Sequence, residues 1–142
     1  MSDQRARSKT TTNAMRLASV VTAIDVLVAS GFSIVGIIHP QYLVPVESVP
    51  TEASLLLAMY AAARTIPLAL LVLAAVYKRA APALLILGAF AGAMQVLDAG
   101  IGLYEHDVGK CAGPLFIGVL QFFVVYVLYR SMRITPQAAE SR

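Results

Sequence analysis

Charged residues are scarce in this sequence: aspartate, glutamate, lysine and arginine make up 13% of its 142 residues. Soluble domains carry about 25% charged residues, whereas this chain is 58% hydrophobic and its apolar residues gather into long blocks. The composition excludes an ordinary soluble domain and predicts an integral membrane protein. The formal net charge of +3 does not indicate a nucleic-acid partner, because the basic residues stand at the ends of the apolar blocks.

Cysteine is nearly absent as well. Cys111 is the single cysteine, so no disulfide can form within the chain and a thiol-redox role is not supported. The sequence has no H-x-x-x-H or C-x-x-C spacing and no haem, flavin, nucleotide or phosphate motif, so we expect no metal and no cofactor. The first apolar block exceeds the ~7–15 apolar residues of a signal peptide and lacks a clear cleavage site, so we expect a retained helix.

Four apolar blocks of bilayer length follow one another, which predicts an all-α, four-helix membrane bundle over residues 15–130. The expected spans are about 15–38, 53–77, 81–103 and 114–129, between a solvated, mobile tail at 1–14 and a polar tail at 131–142. Thr51 is the expected N-cap of the second span, and Pro114 is expected in the first turn of the fourth. Three prolines exclude a regular helix from the loop at 39–52.

Lysine and arginine predict the orientation of the bundle. Nine of them fall on one side of the expected membrane and Lys110 alone falls on the other, while Arg64 lies inside a span. Under the positive-inside rule both termini are cytoplasmic, the loops at 39–52 and 104–113 face outward, and the inner (plasma) membrane is the expected location. Such a strong bias excludes small multidrug-type exporters, whose antiparallel dimers require a weak one.

Three ionisable residues occur inside the predicted spans: Asp25, Arg64 and Asp98. A charge inside a membrane helix costs roughly 3 kcal/mol or more unless something offsets it. Counting along the helices places the three residues at compatible depths, so we expect Arg64 to lie between the two carboxylates and to compensate them. If one of the acids kept its proton, the set would supply a general acid beside a general base.

Other polar residues extend this expected site. Gln95 and Asp98 lie on one face of the third span, which leads toward the outer loop, and Tyr60 is one helical turn from Arg64. Gly88-x-x-x-Gly92 predicts close packing on a neighbouring side of the same helix. We therefore expect five residues to contact a substrate: Tyr60, Gln95, Gln121, Glu105 and His106.

These features predict a buried, outward-opening polar pocket for a lipophilic small molecule. If the site is catalytic, we expect cofactor-free acid–base chemistry such as epoxide opening, isomerisation or cyclisation. The residue types resemble those of limonene-type epoxide hydrolases, which are soluble and differently folded, so the analogy is chemical only. Two alternatives stay open: a non-catalytic accessory or structural membrane subunit, and a proton-coupled small transporter. The expected partners are the lipid bilayer and the small molecule, and assembly into a homo-oligomer also stays open.

Short motifs in two spans resemble a known group of membrane proteins. Ala61-Ala-Ala-Arg64 with Pro67 and a Leu-rich run, together with Leu97-Asp98-Ala99, resemble the DoxX-like group of small four-helix membrane proteins. The resemblance covers about residues 15–130. It implies a compact four-helix bundle, in a group where some members are accessory subunits of quinone-linked or redox systems.

Overall fold

The computed structural model describes residues 2–42 and 49–133, with side chains from Thr10 onward. Within these residues the chain forms four long helices: α1 Ser2–Ile38, α2 Glu52–Tyr77, α3 Ala81–Tyr104 and α4 Val108–Arg133. A short 3-10 turn at Pro40–Tyr42 follows α1. All four helices are long and apolar enough to cross a membrane. The structure thus confirms the expected all-α, four-helix chain.

Short turns make the helices antiparallel. Three-residue connections join α2 to α3 and α3 to α4. The most extensive packing is between α3 and α4, and α1 packs on both α2 and α4. The contact between α2 and α3 is the smallest between neighbouring helices, and α1 also touches α3 across the diagonal of the bundle. The contact line between α2 and α3 is therefore the least extensive one between neighbouring helices, and we call it the α2–α3 seam.

The bundle is apolar on the outside. Phe32, Ile86 and Phe116 are each more than half exposed, with fractional exposures of 67%, 72% and 70%. Small residues such as Ala18 and Ala91 are instead buried between the helices. Large apolar surfaces are rare on soluble monomers, whereas helices in lipid pack through small residues and expose large apolar ones. This distribution indicates a multi-pass membrane protein.

The ends of α1 and α4 differ from the expected tails. Residues 2–14 are helical, and α1 runs without a break to Ile38. No glycine or proline interrupts these residues, and lengthening an existing helix requires no new nucleation. The second expected tail, 131–142, begins as the last turn of α4, and residues 134–142 lie outside the described part of the chain.

Capping residues explain where α2 and α4 begin. Thr51 forms the expected N-cap of α2, since its Oγ1 accepts from the Ser54 N–H at 3.2 Å. The fourth helix starts six residues earlier than expected, because Asp107 caps it: Asp107 Oδ1 accepts from the Lys110 N–H at 3.1 Å. Pro114 consequently lies inside α4 and not in its first turn.

The helices α2 and α3 end with the same motif. The N–H of Ala80 donates to the Ala75 carbonyl at 2.9 Å, and the N–H of Asp107 donates to the Gly102 carbonyl at 3.0 Å. Each bond requires a left-handed residue just past the helix, a position that glycine usually fills. Arg79 (φ 50°) and His106 (φ 56°) occupy these positions here.

Candidate functional site

Four buried side chains from three helices form what we call the polar cluster: Thr22 and Asp25 of α1, Gln95 of α3 and Gln121 of α4. The Gln95 amide Nε2 donates to Asp25 Oδ1. The Gln121 amide Nε2 donates to Thr22 Oγ1 at 2.7 Å. Asp25 is 3% exposed, and Thr22 and Gln121 are fully buried. Of the residues expected at one site, the structure places Asp25, Gln95 and Gln121 in this cluster.

Glycines make the space that the polar cluster occupies. A Cβ atom at Gly88 would lie 2.7 Å from Gln121 Nε2, and one at Gly92 would lie 3.2 Å from Gln121 Cγ. Opposite them on α4, a Cβ atom at Gly118 would lie 3.3 Å from Gln95 Cβ. The Gly88-x-x-x-Gly92 motif therefore lets α4 approach α3 closely enough for Gln121 to reach α1.

Two acceptor atoms of the polar cluster have no hydrogen-bond partner among the described residues: Asp25 Oδ2 and Gln121 Oε1. Leaving a buried polar atom unpaired costs about 1–3 kcal/mol, and native proteins retain few such atoms. Both unpaired atoms are oxygens that accept hydrogen bonds. The polar cluster is therefore suited to bind a group that brings a donor, namely a proton, a cation, a hydroxyl or an amine.

Asp98 lies beside the polar cluster but outside the buried core. Its side chain is exposed, yet it is close enough to Asp25 for the two carboxyls to interact electrostatically. Around α3, Gly92 faces α4, Gln95 lies about 60° further around and faces α1 across the diagonal, and a further rotation of about 60° turns Asp98 toward α2. Asp98 thus lies at the α2–α3 seam, between the polar cluster and the outside of the bundle.

Arg64 and Tyr60 do not join the polar cluster. Both side chains are exposed, Tyr60 to 55%. Two residues along a helix correspond to a rotation of about 200°, so Arg64 points away from the face on which Ala62 is buried. The ion pairs among the described side chains belong to Lys110, and none involves Arg64. The expected arrangement of Arg64 between two carboxylates is therefore not present in this structure.

Hydrogen bonds between α1 and α2 explain the rotation of Arg64. Thr65 is buried and its Oγ1 donates to Ser33 Oγ at 3.0 Å, while Ser30 Oγ donates to the Thr65 carbonyl at 3.2 Å. These contacts fix the face of α2 that carries Thr65 against α1. Arg64 is rotated by about 100° from Thr65 and by about 200° from Ala62, both of which are buried. It therefore lies on the outer side of α2.

Glu105 and His106 lie in the α3–α4 turn, away from the polar cluster. Both are exposed, and Glu105 Oε2 pairs with Lys110 Nζ at 2.6 Å. Gln95 is about 15 Å from this turn along α3. Their expected contact with a substrate at Asp25 has no support in this geometry.

Thr22 is the member of the polar cluster that sequence reasoning missed. It precedes Asp25 by three residues, so the two share one face of α1. That spacing was the available signal. Among the described residues, no group of three His, Cys, Asp or Glu side chains is placed to hold an ion.

Comparison with known proteins matches no family model, no curated protein sequence and no solved structure. The similarity to the DoxX-like group therefore continues to rest on the short motifs in α2 and α3 alone. Any function has to be argued from the polar cluster and its surroundings.

Proposed function

We propose that this is a multi-pass protein of the inner (plasma) membrane whose polar cluster binds a small lipophilic molecule carrying a hydrogen-bond donor. The observation that carries the proposal is the pair of buried, unpaired acceptors, Asp25 Oδ2 and Gln121 Oε1. Both termini are cytoplasmic in this proposal. This orientation is supported by the basic residues Lys78, Arg79 and Arg130, which lie at the end of the bundle where α1 begins. Basic residues are more frequent on the cytoplasmic side of membrane proteins.

The surroundings of the polar cluster select the class of ligand. A carboxylate and an amide oxygen favour an amine or a hydroxyl group, because each needs a donor. The neighbouring core is apolar, with Val26, Ala91 and Val124 buried at 2%, 4% and 1% exposure. A few convergent polar atoms in an apolar interior are typical of small-molecule sites. The α2–α3 seam, with Asp98 on it, is the proposed route from the bilayer.

Proton transfer is the chemistry that this site could add to binding. Asp25 would accept a proton from the bound molecule and return it at another position, as an isomerase does, with Asp98 as a second carboxyl that exchanges protons with the outside. Gln95 and Thr22 would orient Asp25 and Gln121. Arg64 lies on the outer face, so it has no role in this chemistry. The site therefore lacks the arginine on which the analogy with epoxide hydrolases depended.

Proton-coupled transport is a second candidate, favoured by the arrangement of the two carboxyls. Asp25 is buried whereas Asp98 is exposed at the α2–α3 seam, so a proton could pass between a surface site and a buried one. This candidate predicts uptake or efflux driven by a pH gradient in proteoliposomes. Lack of such flux, with ligand binding retained, would leave the binding and isomerisation proposal.

Thermal unfolding of the purified protein with matched probes tests the proposal. Dodecylamine and dodecanol carry a donor, whereas methyl dodecyl ether has a similar chain and none. We expect the first two to raise the unfolding temperature of the wild type more than the ether does, and Asp25→Asn to lose the preference for the amine. Glu105→Gln, which removes an acid from the distant turn, should behave as the wild type.

Two results would count against the proposal. Equal stabilisation by all three probes would show that the protein senses the alkyl chain only. Unchanged selectivity in Asp25→Asn would mean that the polar cluster is not the binding site. If Asp25→Asn instead lowers stability without any probe-dependent effect, the cluster serves as a structural link between helices, as in the accessory-subunit alternative.

A further inference from the structure

A second candidate site lies at the opposite end of the bundle from the α3–α4 turn. A groove of about 480 Å³ opens between α1, α4 and the turn that joins α2 to α3. Its rim includes Arg16, Arg79 and Ser19, and its apolar wall includes Met15, Val76 and Leu128. This volume lies in the range of small-molecule sites, which is about 300–1,000 Å³. We call it the basic groove.

The charge of the basic groove has one sign. Among the residues that the structure describes, Arg16 and Arg79 line it and no aspartate or glutamate does. Neither arginine forms an ion pair within the part of the chain that the structure describes, where the ion pairs are those of Lys110. The left-handed backbone at Arg79, with φ 50°, is held by the bonds that end α2, so its position is fixed by the fold. The basic groove is complementary to an anion.

The location of the basic groove indicates what kind of anion it takes. Its rim is level with the end of α2 at Tyr77 and the start of α3 at Ala81. Tyr77 is 89% exposed there, as is typical of the aromatic belt at a membrane interface. The apolar residues Met15, Val76 and Leu128 line the same groove. A molecule with an anionic head at the interface and an apolar chain matches both parts.

We propose that the basic groove binds one anionic phospholipid of the adjacent leaflet. Its phosphate would lie between Arg16 and Arg79, and the first part of an acyl chain would pack on Met15, Val76 and Leu128. Basic pockets between helix ends are a recognised type of site for anionic lipid headgroups. The inference rests on the insertion of the bundle in a bilayer, as proposed above, but on no residue of the polar cluster, so lipid binding here and ligand binding at the polar cluster can each fail without the other.

The test measures lipid binding to the delipidated full-length protein in a neutral detergent by native mass spectrometry. The probes are phosphatidylglycerol, phosphatidylcholine and soluble glycerol 3-phosphate. We expect the wild type to prefer phosphatidylglycerol to phosphatidylcholine by about tenfold or more, because two arginines lie at the headgroup. We expect glycerol 3-phosphate not to compete at lipid-saturating concentrations, since it lacks the apolar chain.

Matched variants separate the basic groove from general charge attraction. Arg16→Gln with Arg79→Gln should reduce the preference for phosphatidylglycerol to about that for phosphatidylcholine. The control, Lys78→Gln with Arg130→Gln, removes the same charge from residues that do not line the basic groove and should keep the preference. Arg16→Gln alone, which leaves the turn intact, should give an intermediate loss if the double variant folds poorly.

Three outcomes would overturn the inference. An equal loss in the control variant would mean that the basic end attracts anionic lipid without a defined site. Full competition by glycerol 3-phosphate would identify a site for free phosphate esters. An unchanged preference in Arg16→Gln and in the double variant would show that the basic groove is not where the lipid binds.

Discussion

Asp25 and Arg64 are both ionisable residues near the middle of an apolar helix, and the structure treats them in opposite ways. Asp25 is 3% exposed and is hydrogen-bonded to Gln95, whereas Arg64 is exposed on the outer face of α2. The two residues have similar depth but different rotation about their helices. Counting residues along a helix gives the depth of a side chain in the bundle but does not identify its partners. The rotation of the side chain about the helix axis determines which partners it meets.

The environments of the two residues explain the difference. On α1, Thr22 and Asp25 share a face that meets the amides of α3 and α4. On α2, the face turned toward α1 carries small residues and Thr65, whose hydrogen bonds to α1 leave Arg64 outside. A polar residue inside the bundle gains partners, while one outside keeps the full cost of contact with lipid.

Replacing Arg64 should have the largest effect on stability, and the replacement should stabilise the protein. On insertion scales arginine at a helix centre costs about 2.5–3.5 kcal/mol and leucine gains about 0.3–0.6. Arg64→Leu should therefore stabilise α2 in the membrane by about 3 kcal/mol, measured as the inserted fraction in a glycosylation-based assay and as the unfolding temperature. Destabilisation would mean that Arg64 has an essential partner, such as a second copy of the chain.

Filling the space at Gly88 should disturb the polar cluster. Because a Cβ atom there would lie 2.7 Å from Gln121 Nε2 and 2.9 Å from Val125 Cγ2, Gly88→Ala should destabilise by about 1–3 kcal/mol. Gly100→Ala, on the same helix with open space around it, is the matched control and should be neutral or slightly stabilising. Equal effects of both substitutions on unfolding in detergent would contradict the packing described for α3 and α4.

Removing the hydroxyl of Thr22 should have a smaller effect. Thr22→Val keeps the shape but leaves the Gln121 amide without its acceptor at 2.7 Å, which should cost about 1–2 kcal/mol. Thr22→Ser keeps the hydroxyl and should recover most of this loss, as judged by the denaturant midpoint. If serine and valine behave alike, the hydrogen bond contributes little and the volume of the side chain is what counts.

The smallest effect should be the coupling between Arg64 and Asp98. Since no ion pair joins them, the double-mutant cycle of Arg64→Leu and Asp98→Leu should be additive within about 0.5 kcal/mol. The cycle of Asp25→Leu and Gln95→Leu should instead show coupling, because these side chains are bonded. Strong coupling in the first cycle would restore the charge pairing that the sequence led us to expect.

Local signals in the sequence predicted the parts of the fold that depend on local chemistry. Thr51 marks the start of α2, and the apolar blocks define α2 and α3 to within a residue or two. Polarity and depth led to the expectation of one site for Asp25, Gln95 and Gln121, but the same signals also placed Arg64 and Asp98 there, and both are exposed. The Gly88-x-x-x-Gly92 spacing was enough to expect a close helix contact, which α4 provides.

The remaining features depend on contacts between helices, which no single segment specifies. The outward rotation of Arg64 follows from the bonds of Thr65 to Ser30 and Ser33, residues 35 and 32 positions away in the chain. The early start of α4 was different, because it depends on a local cap, Asp107, whereas the prediction placed the start at Pro114. The role of Thr22 depends on Gln121 facing α1, which is again a contact between helices.

An experimental density map would show whether Asp25 and Gln121 present their unpaired acceptors to a bound donor. The protein should be extracted from its native membrane in mild detergent and its structure determined at a resolution that resolves side chains. We predict non-protein density within hydrogen-bonding distance of Asp25 Oδ2 and Gln121 Oε1. A map in which Arg64 reaches Asp25 and no such density is present would contradict the account.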